Sequence, residues 1–503
     1  MSLAIIHSRA LAGVNAPLIT IEAHLSKGIP GFSIVGLPEK AVKESKDRVR
    51  SALINSGFKF PTKRITVNLA PADLPKEGGR FDLPIALGIL AASEQLPKEI
   101  FQHYEIAGEL ELSGRLRSIK GVLPFAVATS QQGKQLIVPL KNADEAALSE
   151  DLSVYAAEHI LDVCSHLNDK TRLSEHVREK SITASVKYPD LSDVKGQAHA
   201  RRALEVAAAG GHSLLFVGPP GTGKTMLSSR LPGILPPMTK AECLEVAALY
   251  SVSKRGFDAK HWGVRPFRSP HHTASSVALV GGGSPPRPGE ISLAHAGVLF
   301  LDELPEYQRQ VLEALREPLE AGVVTISRAA NQAQFPARFQ LIVAMNPCPC
   351  GYYTDPNSDC RCTDEQISRY QARISGPLMD RIDMHVEVPP LPKGVLLDAA
   401  QSDSEPSDVV RSRVVAVRDR QLSRSKKSNA MLSSSEVLTH CCLSQSDRHF
   451  FENTVEKFGL SARAYHRLLR LARTIADMAQ SEKIKRQHLQ EAFAYRSIAC
   501  HRR

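Results

Sequence analysis

A glycine-rich segment that follows a short apolar run combines residue types that bind phosphate. Residues 213–225 read SLLFVGPPGTGKT, and the last eight fit the pattern G-x-x-x-x-G-K-[ST]. In such a loop the backbone N–H groups turn inward, and the next helix adds the positive end of its dipole. Lys224 is expected to reach the β- and γ-phosphates, and the Thr225 hydroxyl to bind Mg²⁺. A glycine-rich turn without a ligand is the alternative, but the apolar strand before it favours a nucleotide. The predicted nucleotide contacts are Gly218, Pro219, Pro220, Gly221, Thr222, Gly223, Lys224 and Thr225.

Two more apolar runs end in polar side chains suited to hydrolysis. Residues 297–304 read GVLFLDEL, where Asp302 is expected to hold Mg²⁺ through a water molecule and Glu303 to polarise the attacking water. A solvated strand end is the alternative for this pair. The run 339–346 ends in Asn346, which is expected at the same sheet edge and in reach of the γ-phosphate. The sequence therefore predicts ATP hydrolysis with Mg²⁺.

Four of the nine cysteines are clustered shortly after this third run. They form two C-x-C pairs with nine residues between the pairs. Disulfides are rare in a reducing compartment, and four thiolates in a tight polar loop suit tetrahedral Zn²⁺. The C-x-C spacing is tighter than the usual C-x₂-C, and a metal-free loop remains the alternative. The predicted zinc ligands are Cys348, Cys350, Cys360 and Cys362.

These motifs must be positioned by a chain of 503 residues, which has room for about three domains. Short β-type runs alternate with helical ones over residues 1–172, which predicts a separate α+β domain. A polar stretch over 167–186 is a candidate linker, and the core that carries the motifs spans 187–393. Helical segments fill a C-terminal domain, residues 394–503. We therefore predict a multidomain α/β protein.

Composition narrows the partners and the compartment. The net charge is +10, and residues 411–503 contain 19 Lys and Arg against 8 Asp and Glu, a balance of +11. A basic end of this kind predicts a nucleic-acid partner, with a solvated helical surface as the alternative. No apolar run approaches the ~20 residues of a membrane span, and the first residues lack the pattern of a signal peptide. We expect a cytoplasmic protein with no membrane partner.

Two irregular segments interrupt the core. Residues 264–292 are rich in Gly, Pro and His, and a long insertion inside a compact domain is more often functional than idle. Its adjacent His271 and His272 cannot easily face one metal ion together. Residues 322–336 read as a β-hairpin with a polar tip that begins at Arg328. This arginine is predicted to grip DNA phosphates, unless the hairpin merely packs against its neighbour.

Arginines at two places are candidates for contacts with nucleotide. Arg381 lies between a short helix and a strand, where it is suited to reach the nucleotide of a neighbouring subunit. A local salt bridge with Asp380 or Asp383 is the alternative. Four arginines, the first of them Arg463, follow one side of a predicted helix over 461–480. They form either a solvated face or a set of contacts to nucleotide and DNA.

Two segments of residues 1–172 resemble the proteolytic domain of Lon-type proteases. Residues 75–82, PKEGGRFD, look like the nucleophile loop of that family, and residues 108–123 look like its lysine-bearing segment. The position of the serine nucleophile holds Arg80, and that of the catalytic lysine holds Leu123. Without a nucleophile and a neighbouring base, acyl transfer has no starting point. The resemblance implies a Lon-protease-like α+β domain that has lost its catalytic Ser and Lys.

The whole chain resembles the ComM/YifB family of magnesium-chelatase-like AAA+ ATPases. The resemblance implies a AAA+ P-loop NTPase core with 264–292 as the helix-2 insert and 322–336 as the pre-sensor-1 hairpin, followed by a C-terminal helical lid domain. It makes Asn346 sensor 1, Arg381 the arginine finger and Arg463 sensor 2. It also implies a homo-hexameric, helicase-like motor that binds single-stranded and branched DNA. Such a motor drives branch migration in homologous recombination and natural transformation.

A second class of function fits the same motifs. A AAA+ ATPase of this type can remodel a protein partner, as a magnesium-chelatase subunit or an unfoldase does. The Lon-like front end is not part of the chelatase pattern, and the missing nucleophile argues against self-contained proteolysis. Stimulation of ATP hydrolysis by DNA separates a DNA motor from both.

Overall fold

The computed structural model describes residues 2–37, 39–178, 188–328, 331–353, 355, 358–391 and 404–496. These residues form a mixed sheet near the N-terminus, a parallel sheet in the middle of the chain and a group of helices at the C-terminal end. The predicted linker and the boundary near residue 393 fall partly on 179–187 and 392–403, which lie outside the described residues. Within the described ranges no helix combines the length and apolar character that a membrane span requires.

The N-terminal part contains nine strands and six α-helices. The strands are β1 (Leu3–Arg9), β2 (Leu18–Ser26), β3 (Gly31–Val35), β4 (Arg64–Ala70), β5 (Tyr104–Ile106), β6 (Glu109–Leu110), β7 (Leu116–Arg117), β8 (Gln135–Pro139) and β9 (Val154–Ala157). The helices are α1 (Lys40–Lys43), α2 (Ser45–Asn55), α3 (Asp82–Ala92), α4 (Val122–Gln131), α5 (Ala143–Ala146) and α6 (Ile160–Leu167). Seven strands form one sheet in the order β3-β4-β2-β1-β5-β8-β9, in which β2 is antiparallel to β1 and β4. Helix α3 packs on β1 and β2 and is buried along its whole length, as its apolar sequence requires.

The middle part is built on a parallel sheet. Its strands, with two short hairpins, are β10 (Leu214–Val217), β11 (Phe267–Arg268), β12 (Gly281–Gly282), β13 (Arg287–Pro288), β14 (Val298–Leu301), β15 (Val323–Arg328), β16 (Asn331–Pro336), β17 (Gln340–Met345) and β18 (Met384–Glu387). Its helices are α7 (Ala198–Gly210), α8 (Lys224–Ile234), α9 (Lys240–Val252), α10 (Ser276–Val280), α11 (Glu290–Leu293), α12 (Arg309–Glu313), α13 (Arg316–Ala321), α14 (Asp364–Gln371) and α15 (Gly376–Met379). The sheet order is β11-β14-β17-β10-β18. Strands β10, β14 and β17 are entirely buried, which matches their continuous apolar sequences.

Five helices of residues 404–496 form the C-terminal part, which packs on α7 and α8 through its first and fourth helices. They are α16 (Ser407–Ser425), α17 (Ser434–His440), α18 (Gln445–Lys457), α19 (Ala462–Met478) and α20 (Arg486–Ala494). Their apolar side chains join those of α7, α8 and one sheet face in a single buried cluster. The helices therefore hold a fixed position against the elements that carry the glycine-rich loop.

Two helices of the middle part differ from the sequence-based expectation. The apolar spacing of residues 308–320 predicts one helix, but the structure has α12 and α13 there, because Pro318 has no N–H to donate to the carbonyl of Ala314. The sequence of residues 190–208 likewise predicts one capped amphipathic helix. Asp190 instead caps a single turn, and α7 begins after Gln197, whose φ of 51° is left-handed.

The N-terminal part docks on the middle part through α4 and α9. Leu123 of α4 is fully buried and shares an apolar cluster with Leu148 and with Ala247 of α9. The N–H of Gly121 donates to the carbonyl of Ser251 at 3.1 Å. Leu123, predicted from the sequence to stand where Lon-type proteases have their lysine, thus lies in a contact between two parts of the chain.

Candidate nucleotide-binding site

The parallel sheet brings the predicted chemical groups to one edge. Strand β10 pairs with β17, and β17 pairs with β14, all in the same direction. Their carboxyl ends are followed by the loop 218–223, by Asn346 and by Asp302 and Glu303 respectively. Because the ends of parallel strands meet at the same edge, residues about 80 to 120 positions apart along the chain become neighbours there. The sequence order of the motifs gives no hint that Asn346 lies between the other two.

The loop 218–223 has the geometry of an anion-binding turn. Gly221 and Gly223 have φ angles of 78° and 89°, a left-handed region that favours glycine. Helix α8 begins directly afterwards at Lys224, so its free N–H groups face the loop. The hydroxyl of Thr222 donates to the carbonyl of Pro219 at 3.0 Å and stiffens the turn.

Lys224 is buried within this loop. Its Nζ donates to the carbonyls of Gly218 and Pro219 at 2.7 and 2.8 Å and to Oδ1 of Asn346 at 3.2 Å. Burial lowers its pKa to about 8, and the carboxylates of Asp302 and Glu303 partly oppose that decrease. The ammonium is therefore held at the place where a phosphate group would enter, and its charge is sensitive to what binds there.

Thr225 and Asp302 are in direct contact. The Thr225 hydroxyl donates to Oδ2 of Asp302 at 2.7 Å, and the N–H of Glu303 donates to Oδ1 at 2.9 Å. A hydroxyl and a carboxylate oxygen at this separation are suitable ligands for one Mg²⁺ ion, which prefers oxygen donors. The donor set therefore fits the predicted metal.

Glu303 has a partner that the sequence analysis did not identify. Its Oε2 lies 3.1 Å from Nδ1 of His272, in the insertion that joins β11 to α10. The ring of His271 lies 4.1 Å from that of His272, and the Tyr307 hydroxyl bonds the Pro270 carbonyl at 2.6 Å. His272 thus faces the predicted water-activating carboxylate, and His271 packs against the His272 ring. The contact could have been predicted because His272 follows β11, a strand that pairs with β14. That pairing, however, was not visible in the sequence.

Arg381 and Arg463 lie together. Both form ion pairs with Oε1 of Glu320, at N–O distances of 2.8 and 3.1 Å, and neither makes a hydrogen bond or ion pair with the described residues 218–225. The sequence suggests Asp380 or Asp383 as the local partner of Arg381, but its ion-pair partner is Glu320. Arg381 is 6% exposed, and its Nε is buried with no hydrogen-bond partner in the described part of the chain.

The other arginines of α19 are tied into the protein rather than exposed on a face. Arg467 pairs with Asp383 at 2.5 Å, and Arg473 pairs with the buried Asp477 at 2.9 Å. Burial would raise the pKa of Asp383, but Arg467, His212 and the N–H of Ser213 outweigh it and hold that pKa far below its usual range. The expectation that this helix presents either a solvated or a DNA-binding row of arginines is therefore wrong for these two.

Further basic side chains of the C-terminal part bind helix ends. Arg418 donates to the carbonyls of Ala208 and Ala209 at the end of α7, and Arg411 donates to Gly233 in α8. Such carbonyls lack partners within their own helix and attract cations. Part of the positive charge that predicted a nucleic-acid partner therefore serves internal bonds.

The predicted hairpin is present in the described residues. Strands β15 and β16 are in register from the Val323–Pro336 pair to the Arg328–Asn331 pair. Val324, Ile326, Ala333 and Phe335 are buried, so one side of the hairpin packs on the protein. The tip residues 329–330 and the side chain of Arg328 lie outside the described residues, and the DNA contact of Arg328 remains a prediction.

The four clustered cysteines bring their sulfur atoms together. All four Sγ atoms lie within 4.8 Å of one another, and three of the separations are 3.3, 3.6 and 3.8 Å. Four sulfurs bound to one ion at about 2.3 Å in a tetrahedron are about 3.8 Å apart. The donor set therefore fits Zn²⁺. It comprises Cys348, Cys350, Cys360 and Cys362, all of them free thiols.

The cysteine loop contacts the glycine-rich loop. A Cβ added to Gly351 would lie 2.7 Å from Cδ of Pro220, and Gly351 has a left-handed φ of 90°. Gly351 also donates its N–H to the carbonyl of Cys348, two residues after Asn346. A side chain at position 351 would therefore push against the predicted phosphate site.

Models of known families match three parts of the chain. The family described as "Magnesium chelatase, subunit ChlI" matches residues 190–396. "Subunit ChlI of Mg-chelatase" matches residues 21–142, and "Magnesium chelatase, subunit ChlI C-terminal" matches residues 404–496. The first and third matches contain the loop, the strand ends and the helices described above.

Relatives align over nearly the full length. Competence protein ComM of Haemophilus influenzae is 54% identical over 502 residues, which are 99% of this chain and 98% of the relative. A YifB protein of Salmonella typhimurium is 52% identical over the same shares. Lon protease 2 of Bacillus subtilis is 30% identical over 122 residues, 23% of this chain and 22% of that protein. The chain belongs to the ComM/YifB family of magnesium-chelatase-like AAA+ proteins.

Proposed function

We propose that the protein is an ATPase that works as a hexameric motor on DNA and promotes branch migration in homologous recombination and natural transformation. The observation that carries the ATPase part is the meeting of five groups at one sheet edge. They are Lys224, Thr225, Asp302, Glu303 and Asn346, joined by the contacts given above. The family membership agrees with this assignment.

The residues at this edge divide the work of hydrolysis. The loop N–H groups and Lys224 bind the phosphates of the substrate ATP, and Lys224 exchanges its bonds to two carbonyls for bonds to phosphate oxygens. Thr225 and Asp302 would hold Mg²⁺, which supplies positive charge to the phosphate oxygens. Glu303 orients and polarises the attacking water, and Asn346 hydrogen-bonds the γ-phosphate or that water.

The two arginines at Glu320 support the ring. Arg381 and Arg463 make no contact with the loop of their own chain, whereas charge that develops on the γ-phosphate needs a nearby cation. Supplied by a neighbouring subunit, these arginines complete each site at an interface. A closed ring of six copies, the arrangement implied by the family, gives every site such a neighbour.

DNA is the proposed substrate of the motor. The relative named as a competence protein and the position of the hairpin, one strand before Asn346, favour it. The eight cysteines of the described residues are free, as expected for a protein that acts on DNA in a reducing cytoplasm. The alternative is a AAA+ ATPase that remodels a protein partner. It is favoured because several C-terminal arginines form ion pairs and hydrogen bonds within the protein.

The ATPase rate with and without DNA tests the proposal. We expect single-stranded and branched DNA to stimulate hydrolysis by the full chain, and Glu303→Gln to bind nucleotide and DNA without turnover. A branched-DNA substrate then reports strand movement directly. Arg328→Ala is expected to keep ATP turnover while losing branch migration, because the hairpin tip would no longer hold DNA phosphates. Hydrolysis that no DNA changes would favour the protein-remodelling alternative.

We further propose that the N-terminal part is a Lon-like domain without proteolytic chemistry. The similarity of the chain to Lon protease 2 over 122 residues supports this. Nη2 of Arg80 donates to the carbonyl of Lys120 at 2.7 Å, so the two Lon-like segments are adjacent. A buried guanidinium at position 80 and a buried Leu123 provide neither nucleophile nor base.

Zn²⁺ is the proposed occupant of the cysteine cluster. Four thiol sulfurs at tetrahedral separations favour it over a disulfide, whose sulfurs lie about 2.05 Å apart. Because the same loop begins two residues after Asn346 and touches Pro220, the ion would hold one wall of the nucleotide site. Its role is structural, since all four ligand positions are filled by the protein.

A further inference from the structure

We propose that Glu320 is a positioning residue for ATP hydrolysis, which sets the side chains of Arg381 and Arg463 as one unit. The inference rests on the proposed function, in which these arginines act on nucleotide. Glu320 lies in the last turn of α13, whereas Arg381 precedes β18 and Arg463 lies in the first turn of α19. One carboxylate oxygen, Oε1, forms ion pairs with both guanidinium groups, at N–O distances of 2.8 and 3.1 Å.

The side chain of Arg381 has a freedom that its backbone lacks. Its carbonyl accepts from the hydroxyl of Ser213 at 3.1 Å and from Arg467 at 2.6 Å, which ties the backbone to β10 and to α19. The guanidinium, in contrast, is held by Glu320 and by the carbonyl of Pro377 at 2.8 Å. Removal of the Glu320 charge should therefore move the guanidinium without moving the backbone.

The carboxylate of Glu320 remains charged, and its ion pair with Arg463 can open. Burial alone would raise its pKa, but Arg381, Arg463 and Arg467 outweigh that effect and lower it. The side chains of Glu320 and Arg463 are 46% and 47% exposed. An ion pair that faces water contributes little to folding stability, so the Glu320–Arg463 pair can open when a phosphate competes for Arg463, whereas the Arg381 guanidinium is only 6% exposed.

The position of Glu320 also connects the arginines to the hairpin. Strand β15 begins at Val323, three residues later, and the N–H of Ala337 donates to the carbonyl of Gly322 at 2.8 Å. Glu320, Ala321 and Arg381 line a shallow cavity of about 390 Å³ beside Glu317. If DNA displaced the hairpin, the movement would thus also displace the Glu320 carboxylate that Arg381 and Arg463 share.

Two glutamine variants of the full chain test the proposal. Glu320→Gln keeps the size of the side chain and removes its charge, and Glu317→Gln is the control on the same helix and the same cavity. We expect Glu320→Gln to lower kcat by about tenfold with the Kd of a nucleotide analogue unchanged, and Glu317→Gln to match the wild type. Thermal unfolding checks that both are folded; if Glu320→Gln is not, Glu320→Asp keeps the charge and shortens the reach.

Non-additivity distinguishes positioning from general damage. If Glu320 acts through the arginines, then Glu320→Gln adds no further loss to the residual single-turnover hydrolysis rate of a protein that carries Arg381→Ala and Arg463→Ala. Normal turnover by Glu320→Gln, with turnover lost in Arg381→Ala, would overturn the role of Glu320 and leave the proposed ATPase site intact. Normal turnover by Arg381→Ala would instead reject the arginine assignment of the proposed function, and with it this inference.

Discussion

The Thr225 hydroxyl donates a hydrogen bond to Oδ2 of Asp302 at 2.7 Å. This contact joins the first turn of α8 to the end of β14 across 77 positions of the chain. The two oxygens already lie at the separation that neighbouring ligands of one small cation require. In the proposed site the sheet therefore brings together two oxygen donors, from Thr225 and Asp302, that would hold Mg²⁺.

Thr225→Ala should weaken the use of Mg²⁺ more than the binding of nucleotide. The loop and Lys224 remain, but one metal ligand and the donor to Asp302 are gone. We expect the Mg²⁺ concentration for half-maximal ATPase activity to rise by about tenfold or more. Thr225→Ser keeps the hydroxyl and is the matched control, with a Mg²⁺ dependence close to that of the wild type.

The affinity for ATP should depend on pH through Lys224. Its pKa is about 8 in the free protein, lowered mainly by burial, so the ammonium is lost as the pH rises through that value. Phosphate groups favour the charged form, and ATP binding therefore takes up a proton above pH 8. By linkage, affinity should be flat below about pH 7 and fall by up to about tenfold per pH unit above pH 8.

Calorimetric titration with ATP at several pH values measures this dependence. Lys224→Ala is the control, since its weaker binding should show no such decline over the same range. A wild-type affinity that stays constant to about pH 9.5 would contradict the assignment of Lys224 as the phosphate-binding cation.

The apolar strands and the polar residues at their ends were readable from the sequence. Runs such as LLFV and VLFL are wholly buried, and continuous apolar sequence is what a parallel strand covered on both faces requires. Strand β17 was likewise expected, with Asn346 at its end. The local pattern determines these elements because burial of both faces permits few other residue types.

Contacts between distant elements were not readable. His272 meets Glu303, and Glu320 meets Arg381 and Arg463, through packing that no local spacing encodes. The count of charged residues likewise does not show which side chains bond within the protein. Arg467 and Arg418 look like surface cations in the sequence, but the fold directs them to Asp383 and to the end of α7.

Arg381→Ala subunits should bind ATP and fail to hydrolyse it, and mixing should restore activity. Arg381 touches no part of its own glycine-rich loop, so its loss leaves that loop intact. Mixed with Lys224→Ala subunits, some interfaces pair an intact loop with an intact arginine. ATPase activity of the mixture above the sum of the two variants is the expected result. No gain at any ratio, with mixed rings verified by native mass spectrometry, would argue against action across an interface.

Purified protein should contain about one Zn²⁺ per chain, as measured by elemental analysis. Serine at Cys348 and Cys362 should abolish the metal and lower the thermal stability, because the loop against Pro220 loses its cross-link. Serine at the exposed Cys442, which lies in another part of the chain, is the control and should keep the metal. Wild-type protein that is folded, active and free of metal would refute the zinc assignment.

Leu123→Ala should loosen the N-terminal part from the core. Leu123 is fully buried and shares its apolar cluster with Leu148 and with Ala247 of α9, so truncation leaves a cavity in the docking contact. The substitution should lower the free energy of separating the N-terminal part from α9 by about 2–5 kcal/mol. Amide hydrogen exchange should therefore rise in Lys240–Val252, on the far side of the contact.

Leu136→Ala removes an equally buried leucine from a different cluster of the N-terminal part, and it should destabilise that part while leaving exchange in α9 unchanged. If both variants affect α9 alike, the N-terminal part and the core unfold together and Leu123 has no special place in the contact. If Leu123→Ala alone affects α9, Leu123 holds the N-terminal part against the middle part of the chain.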